Sequence, residues 1–190
     1  MLSTEEKIFL SGAEKSIEDV LTFLEAQHHK PYVLGAENDQ NTDGATAWDC
    51  SELSQHAITK FLRFVGSKLW VDGADAQYRH MLAHGIPVKD GADLLPLDLG
   101  FVWDRDNIGG AAAASGHIGH VVICFSGLKH SKFHLTIEAR GRPESMVDLY
   151  FAEEYPAMFG PRWAGWYRLP EMARYDQLKK VEQLKDQEAS

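Results

Sequence analysis

Between Cys50 and Val65 the residues Leu53, Ala57, Ile58, Phe61, Leu62 and Val65 recur at intervals of three and four, which places them on one face of a helix. A face that apolar must be covered, so this helix lies against other structure and does not stand in solvent. Cys50 stands at its head. The first turn of a helix has backbone N–H groups without intrahelical acceptors and carries the positive end of the helix dipole, and both stabilise a thiolate placed there. The stretch Trp48-Asp49-Cys50-Ser51-Glu52-Leu53 therefore constrains the fold and suggests a chemistry at once.

The flanking segments supply helices and strands in mixed order. Ile17, Val20, Leu21 and Leu24 predict a helix from Ser11 to about Gln27, closed by His28-His29-Lys30 and stopped by Pro31. Tyr32-Val33-Leu34-Gly35 reads as a short extended piece, and Glu37 to Thr46 as a polar loop. Gly66 closes the Cys50 helix. A further helix is expected over Ala74–His84, ended by Gly85 and Pro87. The first strand is expected within Leu94–Trp103, after a turn at Pro96, and a long loop over Asp104–Gly116. Gly119–Phe125 is the clearest strand, with His120 at its entrance. Phe133–Ala139 alternates as its antiparallel partner, Met146–Tyr150 is mixed in character, and Gly165–Leu169 is a last strand. Glu171–Ser190 is a terminal helix docked on the body or a frayed tail. At 190 residues, the chain is expected to form a single catalytic domain (1–190), with a core over about 11–170 and the segment 171–190 as that terminal helix or tail.

Charge and composition exclude some functions. A formal charge of −9 and the lack of a Lys/Arg stripe argue against nucleic acid as a partner. The longest strongly apolar run, Val121–Phe125, is far short of the ~20 residues that span a bilayer, so no membrane association is expected. The acidic N-terminus lacks the basic and apolar regions of a secretory signal, which is the expectation for a protein that acts in the cytoplasm, leaves by another route or has lost a leader. Two cysteines, Cys50 and Cys124, cannot build a disulfide framework and have no C-x-x-C spacing for zinc, although a bridge between them satisfies the arithmetic. Adjacent helical residues point to different sides, so His28-His29 reads as a solvated helix end and no metal site is expected. The sequence does not speak to oligomeric state.

A thiolate that attacks an amide carbonyl needs a base, and the base needs a group that fixes its tautomer. Cys50, His120 and Glu138 supply those types in order, with backbone N–H groups at the helix start available to an oxyanion. His117 competes with His120 as the base, and Asp148, His134 or a backbone carbonyl with Glu138 as the orienting group. Cys124, mid-strand among apolar neighbours, reads as an inert core thiol. Trp163, Trp166 and Tyr167 either bind sugar or close the core, and closure is the favoured reading.

Four blocks in order, Tyr32-Val33-Leu34-Gly35, Asp49-Cys50-Ser51, Pro96-Leu97-Asp98-Leu99 and Gly119-His120-Val121-Val122-Ile123, resemble the successive signatures of the NlpC/P60 cysteine peptidases over about residues 15 to 140. The resemblance implies a papain-like α+β fold, with an antiparallel sheet packed against helices and the nucleophile at a helix N-terminus. It implies hydrolysis of peptide bonds in bacterial peptidoglycan stem peptides, commonly next to D-glutamate, with no metal or organic cofactor. Position by position, Cys50 matches the nucleophile, His120 the general base and Glu138 the polar third residue. Tyr32 matches the tyrosine beside the nucleophile, and Asp49 and Ser51 match the flanking substrate contacts.

The chain departs from the pattern at Glu52 and Leu97, where glycine is usual, and in an Ala-rich insertion before His120. Glu52 is expected to bring a carboxylate near the cleft and the insertion to act as a lid. The missing signal and wall-binding repeats resemble phage endolysins or tail-associated lysins, which implies a protein held in the cytoplasm until released to the wall, or one that is phage-encoded and virion-associated. An amidase or acyltransferase acting on a non-wall substrate, and a catalytically inactive binding or structural module, remain alternatives.

Overall fold

The computed structural model describes residues 2–37, 45–66, 70–89, 94–104, 116–125, 134–141 and 145–188. Most of the 37–46 loop and of the Ala-rich 104–116 loop lie outside them. Helix α1 spans Thr4–Glu25, α2 Cys50–Leu62, α3 Ala74–His84, α4 Tyr155–Phe159 and α5 Pro170–Glu188. Strands β1 (Ile86–Val88), β2 (Leu99–Trp103), β3 (Ile118–Cys124), β4 (Leu135–Arg140), β5 (Met146–Phe151) and β6 (Trp163–Arg168) form one sheet in the order β1-β6-β2-β3-β4-β5. Every pairing is antiparallel, so the architecture is α+β.

The strand alternation decides what lies on each face. On β3, Val121 and Ile123 join Val20, Phe23 and Leu24 of α1, Leu53, Ile58 and Phe61 of α2, and Met81 of α3 in the main core. The intervening Val122 and Cys124 pack with Tyr155, Trp166 and Leu94 in a smaller core on the other side. Burying each large apolar side chain here stabilises by about 1.5–3 kcal/mol. Trp163 and Trp166 lie across Gly100, where a Cβ would stand 2.6 and 2.8 Å from their rings. Core closure is thus the part these tryptophans play.

Several boundaries differ from the sequence expectation. Helix α1 begins two turns early because Ser3 and Glu6 form a capping box: the Glu6 N–H donates to the Ser3 hydroxyl and the Ser3 N–H to the Glu6 carboxylate. The extra turns bury Leu10. The first strand is not within Leu94–Trp103 but at Ile86–Val88, an edge strand that tolerates Pro87. Strand β2 then starts only at Leu99, because Leu97 turns the chain with φ +70°. The last strand begins at Trp163, ahead of Gly165, whose φ of +101° accompanies the register shift between Phe101 and Val102. Helix α5 is docked: Met172 and Leu178 are buried, Lys179 pairs with Glu14, and the Arg174 guanidinium covers Phe9. No helix of the described residues is long and apolar enough to cross a membrane.

Candidate active site

Asp49 starts α2. Its backbone is extended, and its carboxylate accepts from the Glu52 N–H at 2.8 Å, the Ser51 hydroxyl at 2.9 Å and the Gly35 N–H at 3.1 Å. Replacing such a cap typically costs ~1 kcal/mol, and here the bond to Gly35 also ties the Tyr32–Gly35 segment to the helix start. The first intrahelical bond runs from the Leu53 N–H to the Asp49 carbonyl, so the N–H groups of Cys50 and Ser51 have no acceptor within the helix. Cys50, the first residue of that helix, is only 8% exposed.

Tyr32 reaches the same place from the other side. Its N–H donates to the Ser145 carbonyl at 2.7 Å, and the next residue's N–H donates to the Trp48 carbonyl at 2.9 Å. The ring lies over Gly141, where a Cβ would stand 3.0 Å from its edge. Burial first, then the charges of Cys50 and Asp49, push the Tyr32 phenol up to about 12, so the hydroxyl keeps its proton at neutral pH and can donate it in a hydrogen bond.

His120, on β3, meets Glu138, on the neighbouring β4, through its Nε2. The ring's other nitrogen, Nδ1, is left for Cys50, with which His120 also shares a hydrogen bond. Burial alone would depress the imidazole. The charge of Glu138, that of Cys50 and hydrogen bonds to both outweigh it and hold His120 well above its ordinary value. Glu138 is fully buried, which would raise its carboxyl, yet His120 and Arg140 hold it low and ionised. One oxygen accepts from the Tyr155 hydroxyl at 2.7 Å, and the Arg140 guanidinium pairs with the same oxygen. Tyr155 is itself pushed up, by burial and then by the charge of Glu138, so it stays a donor.

The structure thus brings Cys50, His120, Glu138 and Tyr32 together, with Asp49 and Ser51 bonded to each other directly beside them. Both oxygens of Asp49 are engaged within the chain, which makes it first of all a cap and a strut. The competing residues lie elsewhere. His117 is exposed and 3.5 Å from Asp75, Asp148 pairs with His28, and His134 with Glu153. Cys124 is buried in the smaller core, and both cysteines are free, so no bridge joins them.

Two departures from the expected blocks have physical accounts. Glu52 does not open onto the cleft: its side chain is buried, 3.6 Å from His56, whose ring lies parallel to that of Phe23 and edge-on to that of Trp48. Leu97 occupies a left-handed backbone, which costs a non-glycine residue about 1–2 kcal/mol, while its side chain is fully buried in the main core. Beside it, Asp98 is buried in a two-pronged ion pair with Arg168, at 2.9 and 2.7 Å.

Arg140 and Tyr155, the two partners of the far Glu138 oxygen, are not among the candidates that the sequence offers. Arg140 had a signal, since residues two apart on a strand share a face and Glu138 was already a candidate. Tyr155 had none, because a contact seventeen residues away across a strand and a turn follows no period.

No protein-family model matches the chain, and no curated protein matches it by sequence. Solved structures do. NlpC1 of Trichomonas vaginalis aligns with a TM-score of 0.52 at 21% identity, over 80% of this chain and 43% of its own. NlpC2 of the same organism aligns at 0.53 and 19%, over 81% and 46%. The P60 domain of an antigen of M. avium subspecies paratuberculosis aligns at 0.50 and 20%, over 83% and 96%. The chain spans less than half the length of the two Trichomonas proteins and nearly all of the P60 domain. At such identities the likeness speaks to architecture: the chain has an NlpC/P60-like fold.

Proposed function

We propose that the chain is a cysteine peptidase that hydrolyses peptide bonds in bacterial peptidoglycan stem peptides, next to D-glutamate, in lysis or remodelling of the wall. The observation that carries this reading is the meeting of Cys50, His120 and Glu138 at the start of α2 within an NlpC/P60-like fold. The sulfur of Cys50 attacks the carbonyl carbon. The Tyr32 hydroxyl and the Cys50 and Ser51 N–H groups receive the oxyanion that forms. His120, protonated at rest, gives its proton to the departing amine and so becomes the base that takes a proton from water for hydrolysis of the thioester. Glu138, held ionised by Arg140 and Tyr155, keeps Nε2 protonated and leaves Nδ1 for these transfers.

Incubating purified muropeptides with the wild type and with Cys50→Ala tests the reading. It predicts cleaved stems with the first protein and intact stems with the second. Equal turnover by both removes Cys50 from the mechanism.

A further inference from the structure

At the opposite end of α1 from its capping box, the chain turns through His28 and His29 before it reaches Pro31 and Tyr32. The two histidines lie past the last helical residue, Glu25, so the rule that adjacent helical side chains diverge does not govern them. His29 adopts φ +67° and its ring stacks on that of His28, with centroids 3.7 Å apart and planes 27° apart. Asp148 of β5 faces them, its Oδ1 3.0 Å from His28 Nε2. One ligand atom from each of the three side chains lies within 4.8 Å of the others.

We propose that His28, His29 and Asp148 form a binding site for a divalent transition cation of the zinc class. Two imidazoles and a carboxylate are the donor set such ions favour. A tetrahedral ion with bonds of about 2.0–2.1 Å holds its ligands about 3.4 Å apart, a spacing between the 3.0 Å that separates His28 from Asp148 and the 4.8 Å that bounds the cluster. The backbone under them is already fixed. The His29 N–H donates to the Val147 carbonyl at 2.9 Å, the Val147 N–H to the Lys30 carbonyl at 2.8 Å, and the Leu149 N–H to the Asp148 carboxylate at 2.8 Å. The ammonium of Lys30, the residue after His29, is occupied by Gln27 and the Ala45 carbonyl. The left-handed backbone at His29 is a strain that the surrounding bonds enforce, as is common where a side chain is being aimed.

An ion here clips the end of α1 to the edge strand β5, three residues before Tyr32. The site stands apart from the peptidase reading, because it uses none of that reading's residues.

Isothermal titration of ZnCl2 into Cys50→Ala tests the proposal without the competing thiol at the other site. The expected result is about one zinc per chain, weakened at least tenfold when His29→Asn or Asp148→Asn is added. Asparagine tolerates the left-handed backbone at position 29, and circular dichroism of each variant checks that it folds. A thermal midpoint that zinc raises in Cys50→Ala but not in the double variants is the second readout. No binding by Cys50→Ala overturns the proposal, as does unchanged binding by either double variant. It is overturned too if adding His84→Gln abolishes binding instead, since zinc would then sit on the His80–His84 pair of α3.

Discussion

The buried carboxylate of Glu138 binds Nε2 of His120, so one ring nitrogen is committed to the interior of the sheet and the other is presented to Cys50. If that bond sets the tautomer, Glu138→Gln should lower kcat on muropeptides by about 10²–10⁴, with a much smaller change in KM. Without the carboxylate, His120 loses the largest influence that raises it. The alkaline limb of the pH–rate profile should therefore move to lower pH. An unchanged limb argues that Glu138 does not act through His120.

The same pair makes folding stability depend on pH in a defined way. His120 is raised in the folded state, so its contribution is complete below its ordinary value of 6.5 and is lost as pH climbs through the raised value. Glu138 is lowered, so its contribution is complete above its ordinary 4.5 and is lost as pH falls through the lowered value. Both are whole between 4.5 and 6.5. Urea unfolding across pH should show the stability gap between wild type and Glu138→Gln widest in that window.

Tyr155 touches Glu138 but neither His120 nor Cys50 among its hydrogen bonds, which makes it a positioning residue. Tyr155→Phe keeps the ring in the smaller core and removes one hydrogen bond to a charged oxygen, of the order of 1.5–3 kcal/mol. Turnover should fall about tenfold, with the alkaline limb again displaced downward. A stability loss with no displacement of the limb would mark Tyr155 as merely structural.

Asp98→Ala should be the most damaging change remote from the cysteine. It removes the two-pronged partner of the Arg168 guanidinium, which is 13% exposed and has Asp176 4.0 Å away. Removing one member of a buried pair costs about 3–5 kcal/mol, to be read from the urea midpoint at constant slope.

The sequence spoke most plainly where a period runs long enough to be counted. Helix α2 and strand β3 fall where the apolar spacing puts them, helix α3 ends where Gly85 and Pro87 stop it, and Cys50 stands at the helix start. The three-residue strand β1 has no period to count and contains a proline, so only its pairing with β6 reveals it. The early start of α1 was written in Ser3 and Glu6 but lay outside the run of apolar residues. The left-handed turns at Leu97 and His29 are imposed by the surrounding packing and hydrogen bonds against local preference, and no residue-level rule foretells them. For the site, two partners of Glu138 came only with the fold, because a buried carboxylate collects donors from wherever the chain returns.

Alkylation of Cys50 as a function of pH tests the central claim most directly. With iodoacetamide at about pH 6, where a free thiol is almost wholly protonated, intact-mass analysis of the folded wild type should show one modified cysteine, mapped to Cys50, with Cys124 untouched. His120→Ala should slow that reaction at least tenfold. A wild-type Cys50 that stays unmodified at that pH, or that reacts as fast without His120, contradicts the account.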